Sequence, residues 1–497
     1  VPASRAYSHY ALGVLAAANL LSFINRNIVF ALFEPIKLDL LLTDTQLGWL
    51  ASAYVLVFSL AALPFGVISD LRSRRAVITL GAVLWSGFTL ASGFATSFGA
   101  LLACRALVGV GGAAFAGPAQ SMVADYFRLR GRAMAMGILA AGITLGGVIG
   151  IWLGGRLEAA YGWRTALVVV SVPGFVLAAL TARLRDPVRR PGQLSLRAAL
   201  AEAHVGIIAL ARQFLPLLVS LVVGSVLAIY FDRLYGADSK VDVAAFSLAV
   251  TIGLALNIRI WVKRFAAAPA TGPRPMVRAF GERAVSLATV LRTPTLVYVF
   301  LGGALISFGM NGLVGWAPTF MSRELNLSVA DAAALLGSWG LVSGICGVLF
   351  GGILADWLRR YTATGRVLTI SLGLLIGGPL ALWLLTLRDL DVFVPVFAAA
   401  FFFLSWFNGP IAAVIFDVVP STISATVAGA YLLFIHLVGD AVAFPLVGTL
   451  SDRLGLDRAI LLLPMVAVLG GLVILGATRT VARDMARVGE GGKAVRR

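Results

Sequence analysis

The sequence predicts an all-α polytopic membrane protein of about 14 transmembrane helices, arranged as two six-helix bundles with two inserted helices between them. Three observations carry that prediction. Of the 497 residues, 60% are hydrophobic and 13% are charged, where a soluble domain carries about a quarter charged residues. The charge is missing from particular stretches, which leaves apolar runs of about 20 residues, long enough to cross a bilayer as helices. The basic residues that remain gather in every second loop.

Taken in order, the first half has spans at 10–33, 47–68, 76–95, 99–124, 133–155 and 165–182. Two inserted spans follow at 206–229 and 244–262. The second half then has 294–320, 331–354, 367–387, 392–416, 425–450 and 459–478. The loop after the second span carries Arg72, Arg74 and Arg75, and the loop after the fourth carries Arg128, Arg130 and Arg132. Arg183, Arg185, Arg189 and Arg190 follow the sixth, and Lys263, Arg264, Arg274 and Arg278 follow the inserted pair. Arg359, Arg360 and Arg366 fill a later loop, and the tail holds Arg479, Arg483, Arg487, Lys493, Arg496 and Arg497. The intervening loops are short or balanced. By the positive-inside rule, both termini are expected in the cytoplasm. Topology and attraction to membrane lipid headgroups account for the net charge of +17, and no nucleic-acid partner is expected. The 54 glycines suit helices that approach closely in lipid.

The domains follow as 1–182, a first bundle; 183–293, basic proline-containing linkers around the inserted helices; 294–478, a second bundle; and 479–497, a basic cytoplasmic tail. The bundles look internally related. "GVISDLRSRR" (66–75) recurs as "GGILADWLRR" (351–360), which aligns Gly66, Asp70 and Arg74 with Gly352, Asp356 and Arg360. With Arg75, these residues are expected to form a cytoplasmic gate, the glycines allowing the bundles to approach and the charges latching them. "GTLSDRLG" (448–455) matches "GGRLEAAYG" (154–162) instead and is expected on the opposite side. Tandem halves of this kind suit rocking around a central site.

The pattern resembles the major facilitator superfamily over nearly the whole chain, on Gly66, Asp70, Arg74 and Arg75, on "CRALVGVGGAAFAGP" (104–118) and on "GWR" (162–164). Within it, "FEPIKLDLLLTDTQLGWL" (33–50), "VADYFRLRGRAMAMGI" (123–138) and "DVVPSTISATVAGAYLLFIHLVGDAVAFPLVG" (417–448) are similar to the spinster-like lipid transporters. That group usually has an Asp before the first-helix arginine and a Glu after the fourth-helix glycines, where this chain has Asn25 and Gly112. The resemblance implies alternating access and a bacterial plasma membrane location. It also implies a lysophospholipid or related amphiphilic or anionic substrate, carried with or without protons by a monomer.

Arg26 and Arg105 come at matching depths, about 10 Å and 9 Å from the same end of oppositely running helices. An arginine within a membrane needs water, a partner or a ligand. The resemblance places both on helices that line a central cavity, where two guanidinium forks suit a phosphate or carboxylate, so both are expected to bind substrate, with Asn25, Asn311, Trp316 and Asn408 as further contacts. The alternatives are snorkelling or a bond to helix-end carbonyls for Arg26, and holding backbone and helix geometry for Arg105. His436 and Asp440, spaced i and i+4, are candidate proton carriers or a structural pair; Glu34 near the outer mouth is a third candidate, with an exposed helix-end residue or a gate role as its alternatives. "AAAFFFLSWF" (398–407) reads either as plain packing or as an apolar wall for an alkyl tail. Cys104 and Cys346 lie in apolar segments of opposite halves, so no disulfide is expected. Neither a metal-ligand cluster nor a nucleotide-binding loop is visible, so no cofactor, ATP drive or enzymatic activity is expected. An organic-anion or sugar-acid symporter, or a non-transporting sensor or scaffold, remain the alternatives.

Overall fold

The computed structural model describes residues 5–71, 73–127, 131–187, 290–420 and 423–494, with isolated helical positions between 215 and 260. Most of the predicted linkers and of both inserted spans, and the side chain of Asp70, lie outside the described residues. Every regular element among the described residues is helical. In the first half these are α1 (Arg5–Ala31), the short α2 (Phe33–Leu40), α3 (Asp44–Leu71), α4 (Arg74–Ser92), α5 (Phe98–Tyr126) and α6 (Arg132–Ala182). In the second they are α7 (Pro294–Glu324), α8 (Val329–Tyr361), α9 (Gly365–Leu384), α10 (Leu390–Asp417), α11 (Thr426–Leu454), α12 (Leu456–Arg479) and α13 (Val481–Ala494). Eleven of them are long and apolar enough to cross a membrane.

The longest, α6, is two predicted spans in one. It breaks at Gly162, whose φ of 77° and ψ of 163° only glycine adopts without steric cost. Gly455, with φ 87° and ψ 152°, makes the same break between α11 and α12. The sequence match between 154–162 and 448–455 therefore marks one turn used twice.

Residues 1–193 with 293–497 make one compact unit and 194–292 another. In the second unit, Gly253 packs against Ser220 and the carbonyl of Pro216. In the first, the two halves meet along α1 with α7, α3 with α11, and α6 with α8. Two π turns interrupt the second half, at Leu336–Gly340 in α8 and Ile435–Asp440 in α11.

The aromatic run on α10 is used for packing. Phe402 and Trp406 present their backbone to Gly347 and Gly351 of α8, and Phe350 rests 5.6 Å from Phe402 and 5.1 Å from Trp406. A helix whose backbone closes on glycines, with its rings packed beside them, is committed to helix association, which is the packing alternative rather than the apolar substrate wall.

Candidate functional site

The site is built around Asp440, whose side chain is fully buried at the end of the α11 π turn. A carboxylate there needs several donors to offset its lost hydration. Ser307 and Asn311, one turn apart on α7, both donate to Oδ1, Asn311 at 2.9 Å. His436 Nδ1 lies 2.7 Å from Oδ2, closing the pair within the widened turn. The fourth partner comes from the other half: Arg26 on α1 places Nη2 3.9 Å from Oδ2. That distance is an ion pair without a tight hydrogen bond. Arg26 is 15% exposed and lies 5.8 Å from the Phe23 ring and 5.5 Å from the Tyr54 ring, so the guanidinium is held loosely.

Arg105 takes the second of its two expected roles, holding backbone rather than substrate. Its Nη1 and Nη2 donate to the carbonyls of Asn25 and Arg26, at 3.1 and 3.0 Å, and its side chain is 1% exposed. It therefore fixes the α1 backbone under Arg26 with both terminal nitrogens, while its buried Nε has no hydrogen-bond partner among the described residues. Asn25 is fully buried and donates to Leu21 O at 2.9 Å. At Gly112, a Cβ would stand 2.8 Å from the Tyr54 hydroxyl, so tyrosine occupies the space a longer side chain would need. Asn408 is exposed and donates to Ser405 O within its own helix. Trp316 is fully buried, 5.3 Å from Phe33, beside the stacked pair Phe30–Phe444. It seals the halves together rather than lining a polar site.

Beyond that seal lies a dense polar latch. Arg323, in the last turn of α7, grips Asp44 of α3 through two nitrogens at 2.7 and 2.9 Å and Glu34 through a third at 2.8 Å. Lys37 and Ser451 complete Asp44, at 2.6 and 2.5 Å. Asp452 of α11 accepts from the first amides of α3, Asp44 N at 2.8 Å and Thr45 N at 2.9 Å, and from Thr45 Oγ1 at 2.6 Å. One half thus caps a helix of the other, satisfying donors that a helix start leaves open. Glycines make the approach possible. A Cβ on Gly48 would stand 2.3 Å from Phe444 O, and one on Gly448 2.3 Å from Asp44 O. Glu34 is thus a latch residue at this end.

The opposite end is arranged differently. Arg74, 1% exposed, pairs with Asp125 at 2.7 Å and Asp186 at 2.8 Å and donates to Ser121, all in its own half. Arg366 pairs with Asp417 and, at 3.0 Å, with Asp356. Arg74–Asp125 and Arg366–Asp417 each span 51 residues. The structural counterpart of Arg74 is therefore Arg366, and Arg360 stands exposed at the end of α8. In the second half α8 runs five residues past Asp356, where α3 runs one past Asp70, and the connection is one residue longer, which displaced the sequence register. Arg75 reaches Leu184 O at 3.4 Å, also within its half. Around Gly66 and Gly352 nothing lies within 4 Å of a would-be Cβ, so neither glycine serves a close approach in this state. Among the described residues, the hydrogen bonds of Arg74, Arg75, Arg359 and Arg366 join no residue of one half to the other.

Sequence reasoning missed Ser307, Tyr54, Asp44, Arg323, Ser451 and Asp452. Arg323 fell just past the predicted span 294–320, where a charge at a helix end reads as solvated. Ser307, four residues before Asn311, was legible as the same helix face.

A family model described as Major Facilitator Superfamily matches residues 15–439. Protein spinster of Drosophila melanogaster is 23% identical over 457 residues, 90% of this chain and 62% of that protein. The sphingosine-1-phosphate transporter SPNS2 of Mus musculus is 23% identical over 506 residues, 95% of this chain and 78% of that one. A crystal structure of a bacterial homolog to the human lysosomal transporter spinster, inward-facing and unoccupied, is similar in fold. Its TM-score is 0.73 at 20% identity, covering 97% of this chain and 99% of that chain.

Proposed function

This chain belongs to the Major Facilitator Superfamily, and on that premise we propose that it carries a lysophospholipid or related anionic or zwitterionic amphiphile by alternating access. The observation that carries the reading is the loose pair between Arg26 and Asp440, 3.9 Å apart on opposite halves. A phosphate or carboxylate head competes with Asp440 for Arg26, because a guanidinium binds such groups through two parallel bonds. In this reading Asp440 and His436, the acid and base that face Arg26, are the groups that would carry a coupled proton. Arg105 holds the α1 carbonyls that aim Arg26. Breaking the cross-half pair loosens the seal at Trp316 and the latch at Asp44, so headgroup binding and closure are linked. The alternating basic loops support cytoplasmic termini, which makes the Asp44 end the outer one and the described state open inward.

A small organic anion with a proton is the second reading, favoured by the commitment of the α10 aromatic run to packing. Proteoliposome uptake of a labelled lysophospholipid, with unlabelled lysolipid or small carboxylic acids as competitors, separates the two. Competition by lysolipid alone supports the lipid carrier. Uptake of the acids with no lysolipid movement refutes it.

A further inference from the structure

The tail helix α13 has no part in the carrier site, yet it is bolted to α7. Asp484, with its side chain 1% exposed, accepts from Thr295 N at 3.1 Å and Thr295 Oγ1 at 2.7 Å, which caps the first turn of α7. Thr480 bonds Thr295 as well, at 2.7 Å. Val481 and Asp484 face inward, Met485 is half-buried, and Ala482, Arg483, Ala486 and Arg487 face out. The exposed face thus carries two arginines, 55% and 60% exposed, between alanines. Arg479 is exposed at the preceding turn, and Arg359 of α8 rests 3.7 Å from Met485 Sδ. The carboxylates nearby are Asp484 itself, 3.6 Å from both Arg483 and Arg487, and Asp417, 3.9 Å from Arg359.

This helix starts one residue after a membrane span ends and docks on the start of another. It therefore lies at the level of the lipid headgroups. We propose that α13 binds anionic phospholipid at the bilayer surface through Arg479, Arg483 and Arg487, and that Asp484 fastens this lipid-reading helix to α7. Charge complementarity selects the occupant: a small-residue, cationic outer face offers no apolar anchor for a protein partner and matches a negative headgroup layer. The helix it holds, α7, also carries Ser307 and Asn311 of the Asp440 cluster and Arg323 of the latch. The proposal does not depend on which substrate the carrier moves.

The test places an environment-sensitive fluorophore at Ala486→Cys, in full-length protein with Cys104→Ala and Cys346→Ala, reconstituted in phosphatidylcholine vesicles with or without phosphatidylglycerol. Quenching by neutral acrylamide should fall about twofold or more when phosphatidylglycerol is present, and high salt should restore it. Arg483→Gln/Arg487→Gln should abolish the protection, because each arginine contributes about fivefold to surface partitioning. Arg483→Lys/Arg487→Lys should keep it, since a headgroup layer reads point charge. Equal quenching in both lipids, or protection that survives the glutamine variant, overturns the proposal. So does the same protection by inorganic phosphate in phosphatidylcholine alone, which would make this a soluble-anion site.

Discussion

Gly448→Ala should drive the two halves apart at the Asp44 end. Its Cβ would stand 2.3 Å from Asp44 O, 2.6 Å from Asp44 C and 2.9 Å from Thr45 Cα. Real Cβ contacts rarely fall under 3.4 Å, so α11 must retreat by about 1.1 Å. The obstruction is backbone, which cannot turn aside as a side chain can. Overpacking of this kind costs about 1–3 kcal/mol, and here the cost falls only on the state in which the halves touch. The equilibrium should move away from the closed latch by about 5- to 150-fold. Spin labels at Leu41→Cys and Leu454→Cys, 89% and 52% exposed on opposite halves, report the separation by pulsed electron resonance. A population at longer distance should appear in Gly448→Ala and grow further with Gly48→Ala. A distribution unchanged from the parent, in monodisperse protein, would refute the idea that this contact holds the end shut.

Other substitutions probe the remaining parts. Asp440→Ala leaves Arg26, Ser307 and Asn311 without their shared acceptor, so it should lower stability by about 3–5 kcal/mol and abolish flux, measured by thermal melting and uptake. Asp440→Asn, which keeps the shape, should fold better but leave transport insensitive to an imposed proton gradient. Arg105→Lys should reduce flux in folded protein, because an ammonium cannot hold two carbonyls as the fork does. Arg366→Ala should destabilise the second half clearly in a denaturation assay, while Arg360→Ala should stay within about 0.5 kcal/mol of the parent.

The spans were legible because lipid enforces a crude rule: about 20 apolar residues per crossing and charge in the loops. Arg26, His436, Asp440 and Asn311 stood out for the same reason, since a polar group inside an apolar run needs an explanation. Their meeting in one cluster depended on which helix faces turn inward, and periodicity in lipid-facing helices marks that weakly. Arg105 was legible with two roles open, substrate binding or holding the backbone, and only the bonds to the Asn25 and Arg26 carbonyls decide for the second. The latch was harder still. Asp44, Arg323 and Asp452 sit at helix ends, where charges are ordinary, and only the fold brings the three ends together. In the loop repeat, matching by residue identity chose Arg360 over Arg366, while the constant spacing of 51 residues to the partner aspartate shows the correct register.

The most direct test of the account is transport of a labelled lysophospholipid into proteoliposomes, comparing the wild type with Arg26→Ala. The account predicts flux in the wild type that falls at least tenfold in Arg26→Ala, while Trp316 and the Asp44 latch keep that variant folded. Wild-type flux undiminished in the variant would contradict it, by showing that the headgroup does not depend on Arg26.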